Sequence, residues 1–184
     1  MEMKKYKLLD DDTITLSDGT VLHRIQNLRT NKKGGYIASE KNLSQRGRAW
    51  VADKAQVFDN AKVYENAWVG GNALVYGNAE VSNHAKVYGN AHVYGNARVY
   101  SHAKVYGDTL VFGDAWISGN AQVYDNASVF GNIDVSENAK IFGDALIFGS
   151  FDVRTDISTR FPTIVIDSPE KVAKLKEFWT SLMQ

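Results

Sequence analysis

The sequence predicts an all-β solenoid: one chain wound into about six triangular coils of a parallel β-helix, with an N-terminal β-hairpin cap and a C-terminal α-helix. Three observations predict it. Val or Ile occupies every sixth position from Val51 to Val153, eighteen times without a miss. Ala stands two residues earlier in fifteen of those eighteen units, with Thr109, Ile133 and Phe151 as exceptions. Gly, Asn or Asp residues follow most units, as around Asn90-Ala91-His92-Val93-Tyr94-Gly95.

Residues 1–48 read as a β cap and lead-in segment. Lys5–Leu9, Thr13–Leu16 and Val21–Ile25 have strand composition, with Ser17-Asp18-Gly19 as a turn. A lid is needed there, because a bare solenoid end exposes core and unpaired strand edges.

Residues 49–156 are the coil. Side chains alternate along a strand, so an Ala-x-Val unit points Ala and Val inward and the intervening residue outward. A six-residue repeat cannot hold one face on a helix of 3.6 residues per turn, and a β-branched residue before a Gly or Asx bend is strand-and-corner chemistry. Gly, Asn and Asp supply the corner because they tolerate positive φ. Three hexads close one turn, so residues eighteen apart become vertical neighbours, and six coils at ~4.8 Å each give a prism roughly 29 Å tall. Each buried Val contributes on the order of 1.5–2 kcal/mol before chain entropy is subtracted.

Residues 157–184 read as a strand, Phe161–Ile166, and a capping helix. Asp167 is its N-cap, Pro169 falls in the first turn, and Glu170 follows three after the cap. Val172, Leu175, Phe178, Trp179 and Leu182 then share one face.

Repeats such as Val75-Tyr76-Gly77-Asn78-Ala79-Glu80 resemble the hexapeptide signature of the left-handed β-helix superfamily, whose best-known members are acyltransferases similar to UDP-N-acetylglucosamine acyltransferase. The resemblance implies a left-handed coil, an exception to the right-handed crossover rule. Gly34-Gly35-Tyr36-Ile37, Asn42-Leu43-Ser44-Gln45, Gly47 and Ala49-Trp50-Val51 further resemble the lead-in of bacterial and phage hexapeptide-repeat proteins that carry the name of transferases. That subgroup suggests a phage-type inhibitor of a host or defence-system protein.

The three outer walls differ in chemistry. The first presents Phe58, Leu74, Tyr76, His92, Tyr94, Leu110, Phe112, Phe130, Leu146 and Phe148: an aromatic on every rung and a Leu on every second one. Cross-rung stacking explains the aromatics alone. The leucines beside them extend an apolar strip of several hundred Å², the range at which interaction sites begin. The expected partner is a second copy of the chain, as a dimer or trimer, or another protein. The second wall, from Lys62 and Glu80 to Asp152 and Arg154, reads as solvated; on the third, lysines are expected over ring faces.

The chain carries 21 Lys+Arg against 21 Asp+Glu, so the global pull toward phosphate backbones is missing, and nucleic acid is not an expected partner. Ten Lys/Arg against six Asp/Glu in residues 1–50 leave a mild basic bias there. Arg24, Arg29, Lys32, Lys33, Arg46 and Arg48 are the candidates for a phosphate-binding patch, against a merely solvated cap. No Cys excludes disulfides and thiolate chemistry. No apolar run approaches a membrane span, and Met1–Lys5 lead into polar sequence rather than a signal-peptide core, so a soluble cytoplasmic protein is expected.

The acyltransferase resemblance implies an alternative: O- or N-acetylation dependent on acetyl-coenzyme A, with a His as general base. His84 and His102, eighteen apart, replace the usual corner Asn and are the candidates, although His also tolerates a left-handed corner. A zinc site would want three His, so no metal is expected. The eighteen hexads run without the inserted loops that shape substrate clefts in those enzymes. The expectation is therefore a non-catalytic binding or scaffold protein without a cofactor.

Overall fold

The structure is a computed structural model and describes residues 4–159. The strand predicted at 161–166 and the helix predicted after it lie outside the described residues. The described chain is an all-β parallel solenoid capped by a hairpin. Residues eighteen apart stack in register: His92 lies between Leu74 and Leu110, Lys86 between Trp68 and Lys104, and Arg98 between Glu80 and Trp116. Most rungs are two-residue strands, the outward residue and its inward Val. The first two walls join through two long strands, Ser128–Val135 and Leu146–Val153, whereas the third wall is a separate seven-stranded sheet.

The described residues make seven turns, one more than the hexad count predicts. Ile37 pairs with Val57, Leu43 bridges to Val63, and Ile157 pairs with Ile141, so every wall gains a rung. These steps are twenty, twenty and sixteen residues long, which hides them from a search at strict period eighteen. The first turn is squeezed against the second, and Gly34 and Gly35 permit it: a Cβ on either would run into the backbone carbonyls of Val51 and Ala55.

The N-terminal lid is a hairpin of β1 (Tyr6–Thr15) and β2 (Val21–Asn27), extended by β3 (Lys33–Ile37), from which the first wall continues. The two strands expected at 5–9 and 13–16 are one, because the acidic run Asp10–Asp12 is absorbed as a register shift between Leu9 and Thr13. Tyr6, Leu22 and Ile25 are fully buried beneath the lid, and the Tyr6 hydroxyl donates to the Leu43 carbonyl at 2.6 Å. This desolvation pushes the Tyr6 phenol well above its ordinary pKa. Inside the coil every inward Val, Ile and Ala from Ala49 to Val129 is fully buried.

Each corner divides its work between two residues. The second residue after the inward Val takes positive φ: 68–70° at Gly77, Gly95 and Gly113, 54° at Asp59 and 58° at Glu65. Carboxylates at this position turn to the next rung, where Asp59 accepts from the Gly77 N–H at 3.0 Å and Asp53 from the Gly71 N–H at 2.9 Å. The following Asn is not left-handed. It has both a donor and an acceptor, so it passes a hydrogen bond up the corner: Asn60 to Asn78 at 3.2 Å, Asn78 to Asn96 at 3.1 Å, Asn96 to Asp114 at 2.9 Å.

Candidate functional site

The first wall carries an unbroken stack of six rings. Phe58, Tyr76, Tyr94, Phe112, Phe130 and Phe148 lie face to face with centroids 4.6–5.2 Å apart and planes within 11° of parallel. The spacing is that of adjacent strands, so backbone pairing sets it and dispersion between faces reinforces it. Leu74, Leu110 and Leu146 sit on the same wall, with His92 in register between the first two. All ten predicted wall residues are thus brought together. All ten are half-buried, since each ring covers its neighbour and presents an edge. Burial pushes the Tyr76 and Tyr94 phenols up.

On the third wall Tyr88, Tyr106, Tyr124 and Phe142 form a second stack at 4.9–5.1 Å. Their faces are taken by one another, so among the described residues the expected lysine contacts over these rings do not form. The cation–ring contacts lie elsewhere, with Arg98 5.1 Å from the exposed Trp116 ring on the second wall and Arg24 5.2 Å from Tyr36. Trp68, Lys86, Tyr88 and Lys104 border a shallow depression of about 510 Å³.

The second wall is charged, and one of its carboxylates is poorly housed. Asp134 sits in register with Asp152, and its Oδ1 is buried without a hydrogen-bond partner among the described residues. Burial first, and the Asp152 charge second, raise its pKa above the usual carboxylate value. A raised folded-state pKa gives stability that is present below the unfolded value and lost as pH rises through the folded one. Asp134→Asn is therefore expected to raise the urea midpoint at pH 7, with the difference from the parent shrinking toward pH 3.

His84 and His102 stack at 4.9 Å, both exposed, and the His84 Nε2 lies 3.4 Å from the Asn66 amide nitrogen. The left-handed residues at that corner are Asn83 and Ser101, so backbone tolerance does not explain these histidines; they continue the side-chain ladder as stacked rings. Neither histidine borders the third-wall depression or a second cavity, at the base of the coil, which is lined from residues 4–5, 27–30 and 45–50. His23, on β2, places its Nδ1 3.3 Å from Asp10.

The six cations of the N-terminal region disperse. Arg24 donates to the Gly34 carbonyl at 3.0 Å and to the Tyr36 hydroxyl at 3.1 Å, and Lys33 pairs with Asp12 at 2.7 Å. Lys32 and Arg46 do not border the basal cavity, whereas Arg29 and Arg48 do, joined by Lys4 and Lys5. Sequence reasoning missed those two lysines, since only the hairpin brings residues 4–5 against 45–50.

Comparison with known proteins adds a repeat type. The family profile described as the YdcK beta solenoid repeat matches residues 55–71, nearly one turn of the coil. No curated protein matches the chain significantly. The profile and the stacked register agree on a β-solenoid repeat protein.

Proposed function

We propose that this protein is a non-catalytic binding or scaffold protein that pairs with a second copy of itself through the first wall. The observation that carries the reading is the charge pattern of the outward positions. On the first wall these are Gln, Ser, His, Leu, Tyr and Phe, with no Lys, Arg, Asp or Glu from Gln56 to Phe148. The third wall repeats Lys86, Lys104 and Lys140, and would repel its own copy across a two-fold axis. A strip of several hundred Å² falls short of the roughly 800 Å² per partner of a standard stable interface, so a reversible dimer is expected. The coil without inserted loops, and the two histidines on an open corner, support a binding role over acetylation.

Light scattering tests it. The parent should show a mass approaching twice the chain's 20.4 kDa at high concentration. Leu110→Arg, at a half-buried site that leaves the core untouched, should return the monomer mass. An equal mass for both proteins would remove the reading.

A further inference from the structure

The base of the coil holds a cavity of about 680 Å³, within the size range of small-molecule sites. It is open to solvent on one side, and three segments distant in sequence border it: residues 4–5 at the start of the hairpin, the turn at 27–30, and residues 45–50 of the first coil turn. Among the described residues its lining includes Lys4, Lys5, Arg29 and Arg48 and no carboxylate. In a chain of zero formal net charge, this concentration is local.

The four cations are not equivalent. Lys4 is neutralised by Glu40 at 2.7 Å. Lys5 is held in place: its Nζ donates to the Ala49 carbonyl at 2.7 Å, and the Gln45 side chain accepts from its backbone N–H at 2.9 Å. No carboxylate pairs with it among the described residues, and burial pulls its ammonium down to about pKa 8. A half-buried ammonium without a counter-ion is disfavoured unless an anion joins it. The guanidinium groups of Arg29 and Arg48 have no ion-pair partner among the described residues, and guanidinium is the side chain best matched to phosphate. Apolar surface completes the cavity: Trp50, half-buried, and Leu28, which at 48% is the most exposed large hydrophobic residue described.

We propose that this cavity binds a phosphorylated small molecule of nucleotide size, with its phosphates between Lys5, Arg29 and Arg48 and its apolar part against Trp50 and Leu28. The site is independent of the first wall.

The probe is ADP, titrated calorimetrically into the full chain beside inorganic phosphate and adenosine. ADP should bind saturably, and the other two at least tenfold more weakly, because each supplies only half of the contacts. Arg29→Gln/Arg48→Gln should weaken ADP at least tenfold with an unchanged melting temperature, while Leu110→Arg leaves ADP binding as in the parent. Three outcomes would overturn the proposal: no saturable ADP binding, equal affinity in the double arginine variant, or phosphate alone matching ADP.

Discussion

Gly95→Val is expected to cost about 2–3 kcal/mol of stability, read as a lower urea midpoint, whereas Gly95→Asp should stay within about 1 kcal/mol of the parent. Gly95 has φ 69°, and a Cβ there would lie 3.0 Å from the Gly113 nitrogen and 3.2 Å from its carbonyl oxygen, on the rung above. A β-branched side chain is badly suited to the left-handed region and here also meets backbone that is pinned by the coil. Asp incurs the same conformational cost but brings an offset. Asp59 occupies the equivalent place two rungs below, at φ 54°, and its carboxylate accepts from the Gly77 N–H at 3.0 Å. At Gly95 the new carboxylate meets the Gly113 N–H in the same way. If both variants lose the same stability, the carboxylate contact contributes nothing, and the division of labour at the corners described above is wrong.

That division also marks how far the sequence could be read. The Val and Ala columns were legible because their period is an integral third of a turn, so one number predicts every vertical neighbour from Trp50 to Val153. The corner was legible as a corner but not in its parts: Gly-Asn announces a bend, and only coordinates reveal that the first residue bends while the second builds a ladder. The added first turn escaped because Ile37, Leu43 and Val51 are spaced six and then eight apart, with Arg46 and Gly47 in the widened corner. Ile133 and Phe151, flagged as breaks in the Ala column, stand where the chain runs as continuous strand through a corner, and Gly149 there opens to φ 131°. A larger side chain in a column built for Ala needs that wider corner. The basal cavity was legible only in part: Arg29 and Arg48 stood out in the basic bias of residues 1–50, but Lys4 and Lys5 did not, since the cations come from three segments that no local pattern connects.

The third break, Thr109, leads to the second large effect: Thr109→Val is expected to stabilise the protein by about 1–2 kcal/mol. Thr109 is fully buried among alanines, with Ala91 and Ala127 at the equivalent positions of the turns below and above. Its Oγ1 has no hydrogen-bond partner among the described residues. The neighbouring carbonyls serve the parallel ladder and make no bond with it: the Thr109 carbonyl accepts from the His92 N–H at 2.9 Å, and the Ala127 carbonyl from the Leu110 N–H at 3.0 Å. A hydroxyl without a partner in an apolar interior carries its full desolvation cost, and Val removes that cost while keeping the branched shape. Thr109→Ser separates the two contributions, since it keeps the hydroxyl and deletes only the methyl. The expected order of urea midpoints is Val above Thr above Ser. A Val variant less stable than the parent would mean that the hydroxyl is satisfied in solution, by a water inside the coil, and that the interior is not the dry column of Val and Ala that the burial pattern describes.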